Sequence, residues 1–160
     1  MPPSEAERLA GSLMSRGTTL ACAESCTGGL IGAALTDVPG ASEFFLGSAV
    51  TYSNDAKEKV LGVSHDTLMS HGAVSEETVR EMARGATELY GADHAIAVTG
   101  IAGPGGATPG KPVGLVYVAV TDGPRIVVSR NLFEGDRASV RRQTVSTALT
   151  MMLEMSEGRL

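Results

Sequence analysis

A serine that precedes two glycines is the group in this sequence best suited to nucleophilic chemistry. Ser25 follows an apolar, strand-like run (residues 18–23), and a helix-like run begins soon after Gly28 and Gly29. Paired glycines let the chain turn sharply, so the hydroxyl of Ser25 comes near the backbone N–H groups that open a helix. Such groups stabilise an anion or a developing oxyanion. The alternative is structural: Ser25 or Thr27 only caps the helix, and the glycines only make the turn.

A lysine is the candidate general base for this serine, because no histidine is placed to assist it. Lys57 lies about one helical turn after Asn54, which follows a second strand-like run. A Ser–Lys pair performs acyl transfer when the amine is neutral, and lowering the lysine pKa from ~10.4 to ~8 by burial costs ~3 kcal/mol. The alternative is that Lys57 is a solvated helix lysine like Lys59. We interpret the three histidines as ordinary polar positions: His65, His71 and His94.

Two cysteines four residues apart offer other chemistry. Cys26 is a competing nucleophile, since a thiol is intrinsically more reactive than a hydroxyl, but no neighbouring histidine supports it. Cys22 and Cys26 would also suit a redox pair or half of a zinc site, but no further ligands stand at a suitable spacing. We therefore expect two reduced, partly buried cysteines, no metal, and a cytoplasmic protein.

Polar residues follow three predicted strands, at the point where each strand ends. Besides the serine, these are Tyr52 and Asn54 after the second strand, and Thr99 and Gly100 after the third. Ligands of open α/β sheets bind at the carboxyl ends of strands. The third strand also runs into a loop rich in glycine and proline (99–112), which is typical of a binding loop. We expect one site where these strand ends meet.

Two arginines stand near the start of the last predicted helix. Arg137 and Arg141 are four residues apart and share a helix face, so with the helix N-terminus they suit a phosphate or a carboxylate. The alternative is a solvated face with Asp136 as cap and counter-charge. The chain has no P-loop and no Gly-x-Gly-x-x-Gly opening a helix, which disfavours an ATPase or a dinucleotide-binding fold.

Local patterns predict helices and strands that alternate through most of the chain. The order predicts an α/β fold, a three-layer α/β/α sandwich around a mixed, mostly parallel sheet, in a single domain over residues 1–160. The predicted elements are a helix over 4–16, a strand over 18–24, a helix over 27–37, a strand over 46–52, short helices after 54 and 64, a helix over 76–90, a strand over 94–98, a hairpin of strands 113–120 and 125–133, and a helix after 136.

Composition limits the classes of partner. The chain has 160 residues, 42% of them hydrophobic, which suffices for one aliphatic core, while aromatic residues are only 4%. The net charge of −5 argues against nucleic acid as the main partner. No apolar run reaches transmembrane length, and the first residues are not typical of a signal peptide, so we expect no membrane contact. Apolar helix faces suggest a homodimer.

Six blocks of the chain, taken in order, resemble the C-terminal domain of the CinA (competence/damage-inducible) family: residues 23–29, 51–57, 71–75, 99–106, 111–114 and 135–137. The resemblance implies hydrolysis of the carboxamide of nicotinamide mononucleotide to nicotinate mononucleotide and ammonia, a step of pyridine nucleotide recycling that needs no cofactor. Longer family members carry an additional N-terminal domain. We expect this chain to be a stand-alone form, without the pyrophosphatase activity associated with that domain.

The resemblance assigns roles to residues of this chain. It implies that Ser25 is the nucleophile, that Lys57 is the base and that Tyr52 orients the lysine or the substrate, and we expect the 5′-phosphate against an arginine or the glycine loop. The small-molecule nucleotide is the expected partner. Two alternatives stay open: a regulatory module that binds a nucleotide without hydrolysing it, and a hydrolase that uses the cysteine. The expected substrate-binding residues are Cys26, Thr27, Gly28, Gly29, Asn54, Thr99, Gly100, Arg137 and Arg141.

Overall fold

One sheet of five strands forms the middle of the computed structural model, which describes all residues 1–160. The strands are β1 (Leu20–Glu24), β2 (Phe45–Val50), β3 (His94–Gly100), β4 (Leu115–Thr121) and β5 (Ile126–Leu132). Their order across the sheet is β2-β1-β3-β4-β5. β2, β1 and β3 run parallel, and β4 runs antiparallel to both β3 and β5. Four strands therefore share one direction, which confirms the predicted mixed, mostly parallel sheet.

Six helices cover the two faces of this sheet. They are α1 (Glu5–Arg16), α2 (Leu30–Thr36), α3 (Asn54–Leu61), α4 (His65–His71), α5 (Glu76–Tyr90) and α6 (Arg137–Ser156). α1, α2 and α6 pack on one face, and α5 lies against the other with α3 and α4 beside it. The three-layer α/β/α arrangement predicted from the order of the elements is confirmed.

Each face of the sheet has its own hydrophobic core. The larger core, 23 buried residues, lies under α1, α2 and α6, while the smaller, 12 residues, lies under α5. Every residue of β1 is buried, and β3 is buried except at its last residue, as expected of central strands that are covered on both faces. The residues that follow β1 and β3 are therefore attached to the two most completely buried strands of the sheet.

Local capping explains where several helices begin. The side chains of Ser4, Ser53, Ser75 and Asp136 each accept a hydrogen bond from a backbone N–H in the first turn of α1, α3, α5 and α6, respectively. Ser53 rather than Asn54 caps α3. The predicted bounds of α5 and the predicted hairpin are confirmed to within two residues.

Two predicted bounds near the site are wrong. The helix expected from Thr27 begins only at Leu30, because Gly28 and Gly29 have φ values of 60° and 107°, outside the helical region. The strand expected to reach Tyr52 ends at Val50. Beyond it, the backbone carbonyls of the next two residues accept hydrogen bonds from a lysine side chain instead of from a neighbouring strand.

None of the helices combines the length and the apolarity that crossing a membrane requires. Nowhere does the fold gather three or more His, Cys, Asp or Glu side chains into a group that would hold a metal ion.

Candidate active site

The ends of three parallel strands meet at one edge of the sheet. Glu24, the last residue of β1, pairs with Val50 of β2 and with Val98 of β3. The N–H of Ser25 donates to the carbonyl of Val98, and the N–H of Thr51 donates to the carbonyl of Glu24, so the pairing continues one residue past the strand. Ser25 thus lies between the ends of β2 and β3, where the strand-end argument places a ligand.

A pocket of about 190 Å³ opens at this edge. It brings together seven of the predicted site residues, whereas Thr27, Gly28, Gly29, Asn54 and Arg141 do not line it. A larger and more open hollow, of about 730 Å³, lies between α1, α2 and α6, but it is lined by Glu5, Glu7 and Asp37 and contains no lysine and none of the predicted site residues. The residues that line the smaller pocket are Ser25, Cys26, Tyr52, Lys57, Ala73, Val74, Thr99, Gly100, Ala102 and Arg137.

Ser25 and Lys57 contact each other in this pocket. The Nζ of Lys57 lies 3.0 Å from the Oγ of Ser25, although 32 residues separate the two in sequence. Lys57 comes from the first turn of α3, which Ser53 starts, and its side chain is fully buried. The solvated alternative for this lysine is therefore wrong, whereas Lys59 pairs with Asp55 on the exposed side of the helix.

The surroundings of Lys57 favour its neutral form. Burial lowers the pKa of Lys57 from 10.5 to about 8, because no carboxylate pairs with its charge. Besides Ser25, Nζ contacts only the carbonyl oxygens of Thr51 and Tyr52, at 2.7 and 3.1 Å. Carbonyl oxygens only accept, so the two N–H groups of a neutral amine go to them and its lone pair faces the serine hydroxyl. The pair has the geometry of a nucleophile with its base.

Two backbone N–H groups beside Ser25 are without a protein acceptor. Neither Cys26 N–H nor Thr27 N–H donates to another residue, although Thr27 is fully buried. Unpaired buried N–H groups are rare in proteins. Cys26 lines the pocket, so its N–H is placed to receive a ligand oxygen, whereas Thr27 does not line the pocket. The N–H groups of Gly28 and Gly29, in contrast, donate to the Ser25 carbonyl and the Glu24 carboxylate. The N–H groups of these two predicted substrate-binding glycines are therefore already used within the protein.

Glu24 organises the turn that carries these groups, which the sequence interpretation missed. Its side chain is fully buried, and its carboxylate accepts from the N–H groups of Gly29, Ile31 and Gly32 at the start of α2. It also accepts from the hydroxyls of Thr27 and Ser48, at 2.7 and 2.6 Å. A carboxylate therefore already occupies the N-terminus of α2, so this helix end is not open to a substrate anion. The signal was a lone acid at the end of an otherwise apolar strand.

The two arginines of α6 have different surroundings. Arg137 lines the pocket, where it donates to the carbonyl of Gly103 at 2.8 Å and to the hydroxyl of Tyr52 at 3.3 Å. Arg141 lies on the far side of the serine turn, and its guanidinium donates to the carbonyls of Cys26 and Thr27 at 3.1 and 3.0 Å. Of the two, the structure brings only Arg137 to the pocket.

Tyr52 and Asn54 differ from their predicted roles in detail. The side chain of Tyr52 is 62% exposed at the rim of the pocket, so it is the backbone carbonyl of Tyr52, and not its phenol, that orients Lys57. Asn54 is exposed and starts α3 outside the pocket. The structure therefore does not bring Asn54, a predicted substrate-binding residue, to the pocket.

The wall opposite the lysine comes from β3 and from the segment before α5. The Oγ1 of Thr99 donates to the carbonyl of Ala73 at 2.8 Å, which leaves the hydroxyl oxygen free to accept. Ala73 and Val74 line the pocket although nothing polar in their side chains distinguished them in the sequence. An amide N–H₂ that enters the pocket finds an acceptor in Thr99.

Cys26 has the properties of a packing residue. Its side chain is buried, and burial raises the pKa of the thiol to about 11, against the smaller opposing effects of its own backbone amide and Arg141. Burial also raises the pKa of Cys22. Both cysteines are free and protonated at neutral pH, and a thiol is a poor nucleophile in that form. A cysteine hydrolase is therefore disfavoured relative to the Ser–Lys pair.

Comparisons with known proteins all identify the same family. The family model described as the CinA C-terminal domain matches residues 3–156. A CinA-like protein of Thermotoga sp. (strain RQ2) is 48% identical over 147 residues, and one of Endomicrobium trichonymphae is 51% identical over 140 residues. These matches cover 92% and 88% of this chain but 36% and 33% of the relatives, so the chain spans about a third of the length of these curated relatives.

Solved structures extend the similarity to the whole fold. The crystal structure of a CinA superfamily protein from Klebsiella pneumoniae has a TM-score of 0.93 and 41% identity, and the match covers 96% of each chain. The competence/damage-inducible protein CihA from Agrobacterium tumefaciens has a TM-score of 0.89 and 42% identity over 97% of this chain and 98% of its own.

Proposed function

This chain belongs to the CinA C-terminal domain family, and from that premise we propose that it hydrolyses the carboxamide of nicotinamide mononucleotide to nicotinate mononucleotide and ammonia. One observation carries the proposal. A buried lysine, whose two N–H groups have carbonyl acceptors, directs its lone pair at the hydroxyl of Ser25 inside a pocket. This arrangement suits acyl transfer without histidine or metal.

The first half of the reaction forms an acyl-enzyme. The Oγ of Ser25 attacks the carboxamide carbon while its proton passes to the Nζ of Lys57, and the C=O electron pair moves onto oxygen. The N–H group of Cys26 is the candidate donor to that oxyanion, because Cys26 follows the nucleophile, lines the pocket and donates to no other residue. As the tetrahedral intermediate collapses, the C–N bond breaks and Lys57 returns the proton to nitrogen, which leaves as ammonia.

The second half returns the serine. Water attacks the nicotinoyl ester while Lys57 takes one of its protons, and the new tetrahedral intermediate breaks the bond to Oγ. Lys57 then gives the proton back to Ser25, and the carboxylic acid leaves as nicotinate mononucleotide. The same amine serves as base and then as acid in each half, which requires a pKa near the working pH. The pKa of about 8 for Lys57 meets that requirement.

The shape and charge of the pocket support a nucleotide that enters with its amide first. The volume of about 190 Å³ is below the roughly 300–1,000 Å³ typical of drug-sized ligands, so it suits the pyridine carboxamide, with the ribose phosphate across the rim. Thr99 accepts from the amide N–H₂. At the rim, the exposed guanidinium of Arg137 beside Tyr52 is the cation that we assign to the 5′-phosphate.

The test is ammonia release from nicotinamide mononucleotide by the wild type and by Ser25→Ala and Lys57→Met. Each variant should lose several orders of magnitude in kcat, because the two groups act as one unit. Lys59→Met is the matched control: this lysine is on the same helix but exposed, and its loss should leave the rate unchanged. Saturable nucleotide binding by a wild type that releases no ammonia would instead identify a binding module. Activity that survives in both variants would refute the Ser–Lys mechanism.

A further inference from the structure

Arg141 is a cation whose hydrogen bonds go to the turn behind the nucleophile. The residue is half-buried, comes from the second turn of α6, and donates from Nε to the carbonyl of Cys26 and from Nη2 to the carbonyl of Thr27. No carboxylate lies within 4.0 Å of its guanidinium, unlike Arg80, Arg125 and Arg159. Its charge is therefore directed at backbone carbonyls rather than neutralised by an acid.

Each of these carbonyls shares a peptide unit with the next N–H along the chain. The Cys26 carbonyl belongs to the same planar unit as the N–H of Thr27, and in a trans peptide the two point in opposite directions. A cation at the oxygen draws electron density from the nitrogen and strengthens the N–H as a donor. Arg141 thus acts on one of the two unpaired N–H groups beside Ser25 from the opposite end of the peptide.

The second hydrogen bond acts on the neighbouring peptide unit. The Thr27 carbonyl shares its unit with the N–H of Gly28, which donates to the carbonyl of Ser25 at 3.1 Å and closes the turn. The other side of the turn is held by Glu24 through the N–H of Gly29 and the hydroxyl of Thr27. An anion at one side and a cation at the other therefore fix the orientation of the two peptide units in between.

We propose that Arg141 is a positioning residue for the deamidation: it orients and polarises the turn of Ser25 through the Cys26 and Thr27 carbonyls. The Gly28 N–H, in the same peptide unit as the Thr27 carbonyl, donates to the Ser25 carbonyl, and this links Arg141 to the Cys26 N–H that we assign to the oxyanion. This inference rests on the proposed function. It separates the two arginines of α6, which share a helix face but act differently. Arg137 contacts the substrate at the rim, and Arg141 acts only through the backbone of the serine turn.

The kinetic test compares two substrates that differ only in the phosphate. With Arg141→Met, kcat should fall roughly 10- to 100-fold, less than the loss of a whole oxyanion donor, while KM changes by less than about twofold. The same factor should apply to nicotinamide mononucleotide and to nicotinamide riboside, which has no phosphate. Arg142→Met is the matched control, since Arg142 is the exposed next residue, and it should behave as the wild type.

Three kinetic outcomes would overturn the inference. A rise in KM confined to the phosphorylated substrate would make Arg141 a phosphate ligand. An unchanged kcat in a folded variant would leave Arg141 without influence on the chemistry. Full rescue by Arg141→Lys would also refute it, because one ammonium does not reproduce a fork that spans two carbonyls. If Arg141→Met does not fold, Arg141→Lys carries the same comparison, with a partial loss of kcat expected.

A second measurement does not depend on turnover. Amide ¹⁵N resonances report the hydrogen bonds of the carbonyl in the same peptide unit. In Arg141→Met the resonances of Thr27 and Gly28 should move upfield, and in Arg142→Met they should stay in place. A wild type that releases no ammonia would refute the proposed function alone, since the resonances would still show whether Arg141 polarises the turn. Unmoved resonances in folded Arg141→Met would refute the polarisation.

Discussion

The protonation of Lys57 makes the pH dependence of the reaction a direct test of the proposed mechanism. The structure gives this lysine no counter-charge and full burial, and its pKa falls from 10.5 to about 8. At pH 7 about one molecule in ten then has the neutral amine, against about three in ten thousand at the ordinary pKa, a gain of roughly 300-fold.

The expected profile follows from that fraction. Because kcat/KM reports the ionisation of the free enzyme, it should rise about tenfold per pH unit below pH ~7.5 and level off above pH ~8. The assay is ammonia release under kcat/KM conditions between pH 6 and 10. The phosphate of the substrate titrates near pH ~6, so nicotinamide riboside, without that group, should give the same inflection.

Two variants separate the lysine from other titrating groups. Lys59→Met should keep the profile, because the exposed lysine does not contact the site. Lys57→Arg keeps the positive charge but never becomes neutral, so it should be inactive at every pH. A plateau already reached at pH 7, or a rate that keeps rising to pH 10, would refute the assignment of Lys57 as a base of lowered pKa.

Three further predictions concern stability. Between pH 8 and 10.5 the unfolded chain binds more protons at Lys57 than the folded protein does. The free energy of unfolding of the wild type should therefore rise by about 3 kcal/mol over that range relative to Lys57→Met. Urea titration at each pH measures it, and parallel curves for the two proteins would contradict the prediction. Gly85→Ala should destabilise the protein by several kcal/mol in thermal melts, since the added Cβ would lie 2.1 Å from the Leu61 carbonyl oxygen. Gly11 has open space around it, so Gly11→Ala should instead stabilise the helix by roughly 0.5–1 kcal/mol. Equal effects of the two substitutions would refute the argument from close approach. Glu24→Gln places an N–H₂ group among backbone N–H donors in a buried site, and should lower the free energy of unfolding by roughly 3 kcal/mol or more. A decrease below about 1 kcal/mol would show that the turn does not depend on the carboxylate.

Local signals in the chain were enough to predict most of the elements. The helix α5, the cap Asp136 and the hairpin of β4 and β5 all depend on residues within a few positions of one another. The pairing of Ser25 with Lys57 was also predictable, because parallel strand ends meet at one edge and α3 follows the second of them directly.

The parts that could not be predicted all depend on contacts between distant segments. The spacing of Arg137 and Arg141 places both on one helix face, but only the packing of α6 against the serine turn directs one to the pocket rim and the other to two backbone carbonyls. The role of Glu24 likewise depends on tertiary contacts, because its partners are Ser48 of the neighbouring strand β2 and three backbone N–H groups at the start of α2.

By itself, the sequence determined which residue types stand at each strand end and how each element begins, because helix periodicity, caps and turns are short-range interactions. Only the tertiary structure decided which groups are buried and what they face. Burial makes Lys57 a base and leaves the thiol of Cys26 protonated, and that burial comes from segments far apart in the chain. The protonation states on which the chemistry depends are therefore a property of the packed fold.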